Sequence, residues 1–221
     1  MAEGRVKSEA ETRAEVVEAA RAMSAGGLSP GRSGNVSARF GNGMLITPSG
    51  VAYEGMTAAD IVFVGADGAA GAHRHRPSSE WRFHLAVYAA RGEAGAIVHA
   101  HSRHATVLAC AGRPIPAFHY MVAVAGGSDI RCAPYATFGT RELAGNVVAA
   151  LEERRACLMA RHGQLAFGVT PAAALELAGE VEELAAPYCE WLKIGGAGMR
   201  EDGEMARALE RFKDDGAGGG D

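Results

Sequence analysis

The side chains with the clearest chemical spacing are His99 and His101, inside AIVHAHSRHATVLACAG, residues 96–112. Ala96-Ile97-Val98 reads as the entry of a buried strand. Alternate strand residues share a face, so the two imidazoles point the same way with Cα atoms ~7 Å apart. Two imidazoles on one face at a strand's end suit a shared metal ion. The same pair also reads as two polar residues where a strand leaves the core. His162 ends a second short apolar strand, Ala156–Ala160, in the sequence Arg161-His162-Gly163. If the three converge, neutral imidazoles with an open fourth position form the ligand set of a catalytic rather than a structural zinc. Glu80, just after Ser78-Ser79 and ahead of an apolar run, is then the natural partner, as a fourth resting ligand or a proton carrier. Taken alone, Glu80 reads as an acid favoured at a helix start by the macrodipole.

A second chemistry is suggested independently. Ser78 and Ser79 open a helix, where unpaired N–H groups and the dipole attract an anion. Gly34-Asn35 and Thr47-Pro48-Ser49-Gly50 are two more small-residue loops with hydroxyls, amides and open backbone. Neutral donors of this kind can cradle a dianion without a lysine or arginine; singly, each loop is an ordinary turn. His73-x-His75 repeats the metal-type spacing but lies among Gly, Arg and Pro with no apolar strand, and reads as a solvated connection. His84, His104 and His119 read as structural, with His104 expected near the site. Lysine occurs only at positions 7, 193 and 213. None suits a Schiff base, which needs a desolvated amine, so carbonyl chemistry here would need a metal.

The positioning elements follow from local signals. Ser8 and Glu11 form a capping box for a helix to about Ala25, ended by Gly26-Gly27. A strand from Asn35, a turn at Gly41-Asn42-Gly43 and a strand over 44–46 form a hairpin. Residues 61–64 form a further strand. Pro77-Ser78-Ser79 opens a helix with Trp81, Leu85 and Tyr88 on its core side. Helices are predicted over 102–112 and 140–152. The longest, capped by Thr170 with Pro171 in its first turn, runs to about Leu192. Residues 113–132 read as a loop, and the chain from Glu201 as a mobile tail. Strands and helices alternate irregularly, predicting a three-layer α/β/α sandwich with a mostly antiparallel central sheet.

Composition narrows the function classes. The 221 residues suffice for one well-buried domain. With 22 Lys and Arg against 26 Asp and Glu, the net charge is −4 and no basic cluster stands out, which argues against nucleic acid. Cys110, Cys132, Cys157 and Cys189 are scattered, as expected of small buried residues in a reducing compartment. No signal peptide or membrane span is apparent, so a cytoplasmic protein is expected.

The ordered series SGNVS, ITPSG, RPSSEWRFH, IVHAHS, IPAFHYM, AVAGG and ARHG, from about residue 10 to 195, resembles the class II aldolase/adducin family. The resemblance implies one aldolase-like domain over residues 1–200. It implies Zn2+, or another divalent metal, on His99, His101 and His162, with Glu80 beside it as acid and base. Gly34, Asn35, Ser49, Gly50, Ser78 and Ser79, with Thr47 in the same loop, would hold a substrate phosphate. Tyr120 would reach the site of a neighbouring subunit in a fourfold-symmetric homotetramer and protonate the aldehyde oxygen, and Phe138 would wall the aldehyde pocket. The implied reaction is retro-aldol cleavage of a ketose 1-phosphate, such as L-fuculose 1-phosphate or a related deoxy-ketose phosphate, to dihydroxyacetone phosphate and an aldehyde. Family alternatives are an epimerase, dehydratase or decarboxylase of a sugar phosphate, and a non-catalytic adducin-like module. Family members of this kind carry a tyrosine in a C-terminal tail, whereas this chain has no tyrosine after Tyr188.

Overall fold

The computed structural model describes residues 7–196 and 202–218. Helix α1 (Glu9–Ala25) opens at Ser8, whose hydroxyl accepts from Glu11 N–H while the Glu11 carboxylate accepts from Ser8 N–H. Strands β1 (Asn35–Phe40) and β2 (Gly43–Ile46) form the expected hairpin, followed by β3 (Val62–Gly65). Then come α2 (Trp81–Ala90), β4 (Ala96–Ala100) and α3 (Arg103–Cys110). A 3-10 helix at Tyr120–Ala125 and a short β5 (Cys132–Ala133) occupy the stretch read as loop. Helix α4 (Arg141–Ala150) starts at its Thr140 cap, and β6 (Ala156–Met159) and β7 (Gly163–Gly168) form a hairpin. Helix α5 (Pro171–Lys193) is capped by Thr170, and α6 (Asp202–Gly218) follows.

The seven strands form one sheet in the order β3-β2-β1-β4-β7-β6-β5, antiparallel throughout except for β5 with β6. Strand alternation feeds two apolar clusters. Leu45, Val98, Leu158 and Ala166 join a cluster with residues of α1, α3 and α5. Ile46, Ile97, Cys157 and Leu165 join the other, with residues of α2 and α4. Each face of the sheet is therefore covered, as period-two burial requires. His99 has the parity of Ile97 and lies on the α2 face.

Three sequence expectations change. Strand β7, unread in the sequence, is buried along nearly its whole length, Gln164 included, so it lacks the polar and apolar alternation that flags a strand. In α2 the fully buried side chains are Phe83, His84 and Val87, with Tyr88 also buried. Trp81 and Leu85 are only half-buried, Trp81 lying against Gly68 and under the Arg82 guanidinium. The stretch from 201, expected as a mobile tail, carries α6, with Met205 buried and Leu209 and Phe212 packed on the first cluster. Those three recur at i, i+4 and i+7 and form one helical face that the acidic, glycine-rich end of the sequence obscures.

Candidate metal centre and adjoining cavity

Pairing register brings distant residues to one end of the sheet. Asn35 of β1 sits opposite His99 of β4, and Ala100 opposite Gln164 of β7. His101 therefore leaves β4 beside the tip of the β6–β7 hairpin, where His162 stands. Arg161 makes that tip in the left-handed region (φ 57°), unusual for a bulky residue. Glu80, expected in the first turn of α2, is instead its N-cap residue, and its carboxylate enters from the helix side.

The nitrogens of His99, His101 and His162 lie within 4.8 Å of one another. His99 Nε2 is 3.0 Å from His101 Nε2 and 3.1 Å from Glu80 Oε2, and His162 Nε2 is 2.9 Å from Glu80 Oε1. His99 Nδ1 donates to the Gln164 carbonyl at 2.7 Å, which leaves the Nε2 lone pair aimed at the common centre. His99 is fully buried, and Glu80 Oε1 is a buried oxygen without a hydrogen-bond partner. Lone pairs crowded round one point, with an orphaned carboxylate oxygen beside them, fit a divalent cation. These residues could hold a metal.

The electrostatics agree. Burial works to raise the Glu80 pKa, but His99 and His162 close beside it outweigh that and hold the carboxyl well below the usual range. Burial lowers His99, yet Glu80 more than compensates and shifts it upward. His101 is pushed down to about 4 by burial and by its two histidine neighbours, which keeps its ring neutral at physiological pH.

A cavity of about 380 Å³ opens beside this centre. Of the residues expected there, Gly34, Asn35, Ser49, Gly50, Ser78, Ser79, Glu80, His101, His162 and Phe138 line it. Gly34 is obligatory: its φ is +81°, and a Cβ would lie 2.4 Å from Ser29 Oγ and 2.6 Å from the His99 carbonyl oxygen. Asn35 gives one amide N–H to Glu80 Oε2 at 3.0 Å and keeps a second donor.

Thr47 does not line the cavity. It is buried, and its hydroxyl accepts from Val36 N–H, so it fixes the β1–β2 hairpin instead. Tyr120 is 46% exposed and also lies outside this chain's cavity. His104 bonds Glu182 at the start of α3 and does not line the cavity. His75 bonds Asp60, and His73 bonds the Ala59 carbonyl.

Sequence reasoning missed Arg32, Tyr135 and Arg161, all of which line the cavity. Arg32 donates to the Gly50 carbonyl at 3.2 Å, and the Arg161 guanidinium lies 5.8 Å from the Tyr135 ring centre. The cavity thus has cations besides its neutral donors. The available signal was adjacency: Arg161 precedes His162, and Arg32 stands three residues before Asn35.

Residues 14–189 match the family described as Class II Aldolase and Adducin N-terminal domain. The chain is 52% identical to a 5-methylthioribulose-1-phosphate/5-deoxyribulose-1-phosphate aldolase of Rhodospirillum rubrum, over 90% of this chain and 89% of that one. It is 47% identical to an L-fuculose phosphate aldolase of Escherichia coli K12, over 90% and 93%. Among solved structures, an L-fuculose 1-phosphate aldolase superposes with a TM-score of 0.88 at 40% identity, covering 92% of this chain and 96% of that one.

Proposed function

From the premise that this chain belongs to the class II aldolase and adducin family, we propose that it cleaves a ketose 1-phosphate to dihydroxyacetone phosphate and an aldehyde. The observation that carries this reading is the junction of three imidazoles and Glu80 with a cavity lined by small-residue loops. His99, His101 and His162 would hold Zn2+, or another divalent ion. That ion would supply fixed positive charge where electron density builds on the substrate carbonyl.

This chain's residues do the rest. Gly34, Asn35, Ser49, Gly50, Ser78 and Ser79 bind the phosphate through neutral donors, with Arg32 adding charge at that end. Anchoring the phosphate presents the carbon skeleton to Glu80 in a fixed orientation, which lowers the entropic part of the barrier. In the cleavage direction the hydroxyl beside the scissile bond passes its proton to solvent as the carbon–carbon bond breaks and the aldehyde leaves. Glu80 takes a proton from solvent and delivers it to the carbon left behind in the enediolate, completing dihydroxyacetone phosphate. Tyr120 lies outside its own cavity, so its phenol serves the aldehyde oxygen in the cavity of a second copy. That role calls for an assembly such as a fourfold tetramer with sites between subunits.

Phe138 and Tyr135 line the cavity with exposed aromatic surface. With no tyrosine after Tyr188, this favours a deoxy or methylthio tail on the sugar over a polyhydroxylated one, in line with the Rhodospirillum rubrum relative. We read the two covered sheet faces as the three-layer sandwich, residues 1–200 as one catalytic domain, and the compartment as cytoplasmic. No helix among the described residues is long and apolar enough to cross a membrane.

The test is zinc-loaded protein offered 5-methylthioribulose, 5-deoxyribulose and L-fuculose 1-phosphates, with both products identified. Release of dihydroxyacetone phosphate, highest from the first two, is expected. A sugar phosphate converted without it would move the assignment to an epimerase or dehydratase. No conversion and no bound metal would favour a non-catalytic module.

A further inference from the structure

One turn beyond Glu80, α2 buries a histidine that the proposed reaction does not use. His84 is wholly inaccessible, and both ring nitrogens are engaged. Nε2 meets Asn35 Oδ1 at 2.5 Å and Nδ1 meets Ser37 Oγ at 2.7 Å. Ser37 Oγ in turn meets the Tyr88 hydroxyl at 2.8 Å. The chain continues through Asn35 Nδ2 to Glu80 Oε2 at 3.0 Å.

The Asn35 amide fixes the direction of every bond. Its NH2 faces Glu80 Oε2 and its oxygen faces His84 Nε2. An amide oxygen only accepts, so His84 Nε2 must carry the proton. Its Nδ1 is then bare and accepts from Ser37 Oγ, whose single proton is thereby used. Ser37 Oγ must therefore accept from the Tyr88 hydroxyl. Donation runs Tyr88, Ser37, His84, Asn35, Glu80, with only the second Asn35 amide proton outside the chain. Burial, aided by His99, pushes His84 down to about 3, so the ring stays neutral and this arrangement persists through the physiological range.

The two Glu80 oxygens differ as a result. Oε2 receives the Asn35 donor and lies 3.1 Å from His99, whereas Oε1 receives no such fixed donor and faces only His162 Nε2 at 2.9 Å, a nitrogen that a bound metal would claim.

We propose that His84 is a positioning residue that locks the Asn35 amide, so that Glu80 is held by Oε2 and works through Oε1. The second half of this statement rests on the aldolase reading above; the first half rests on the hydrogen-bond geometry alone. A ring that merely filled space would need neither tautomer nor partner.

The test has two arms. In the first, 15N NMR of the histidine-labelled wild-type protein reads the His84 tautomer. A neutral ring protonated at Nε2 is expected, and protonation at Nδ1 overturns the proposal. In the second, zinc-loaded wild-type, His84→Gln, His84→Leu and Val87→Ala proteins are followed in D2O for exchange of the dihydroxyacetone phosphate carbon-bound proton, with Tm measured alongside. Gln reaches as far as Nε2 and can donate to Asn35, so H84Q should exchange within about fivefold of wild type. H84L should lose about 100-fold, the order of effect of a misplacement near 1 Å, with little change in KM. V87A opens a cavity on the same buried face of α2 and should exchange normally despite a lower Tm. Equal loss in H84Q and H84L, or wild-type exchange in H84L, overturns the proposal. If the wild-type protein exchanges no proton, the aldolase reading fails, and the tautomer decides the locking role by itself.

Discussion

Replacing Gly163 by Ala tests how tightly the hairpin tip sets the metal geometry. A Cβ there would lie 2.5 Å from the Ala100 carbonyl oxygen and 2.9 Å from His101 Cδ2, where real Cβ contacts stay beyond 3.0 Å. The φ of Gly163 is not positive, so the cost is purely one of space. Reaching 3.0 Å requires the backbones of β4 and β7 to part by about 0.5 Å beside a candidate metal ligand. Overpacking on this scale costs about 1–3 kcal/mol of stability. Metal–ligand distances tolerate only about 0.2 Å. Disturbing the groups that orient a ligating histidine lowers metal affinity about 10–100-fold, which is about 1.4–2.7 kcal/mol. Zinc affinity is measured by competition with a fluorescent chelator, and urea denaturation of the metal-free protein isolates the packing cost. Gly145→Ala in α4 is the control, since its new methyl meets nothing within 4 Å. It should gain about 0.5–1 kcal/mol and leave zinc affinity unchanged. A G163A protein that loses stability yet binds zinc as tightly as wild type would refute the claim that this glycine sets the His101 ring.

Glu80→Gln keeps the shape and removes the proposed proton carrier, so kcat should fall about 10²–10⁴-fold while calorimetry still detects dihydroxyacetone phosphate binding; a loss under tenfold would remove Glu80 from the chemistry. Arg32→Thr should raise KM for the ketose phosphate about tenfold at low ionic strength, and the difference should shrink toward 1 M salt, where screening acts within about 3 Å; a salt-independent change would mean that Arg32 acts through packing. Asp60 is held well below the usual carboxylate range, chiefly by the Thr57 hydrogen bonds against opposing burial, with Arg74 and His75 adding to it. A depressed pKa gives stability present above the unfolded value of about 3.9 and lost as pH falls toward the folded value. Wild type should therefore exceed Asp60→Asn in urea midpoint at pH 6, with the gap narrowing by pH 3; parallel pH profiles would contradict this.

The sequence by itself determined what local rules govern. Period-two alternation put His99 and His101 on one face, the Ser8 and Thr170 caps placed the starts of α1 and α5, and Gly34-Asn35 marked a small-residue loop beside the site. The types of the site residues, imidazoles, a carboxylate and small-residue loops, were also legible, because chemistry resides in side chains. Tertiary structure decided which of them meet. His162 joins the pair because β7 pairs with β4, and β7 itself was hidden in a run buried on both faces. Thr47 was withdrawn from the cavity by a bond to Val36, while Arg32 and Arg161, adjacent in sequence to site residues, were turned into it by loop geometry. The direction of the Asn35 amide depends on partners 45 and 49 residues along the chain. Caps and periodicity are fixed by neighbours in sequence, whereas convergence and hydrogen-bond direction are fixed by strand register, and register is set only when the two core faces close.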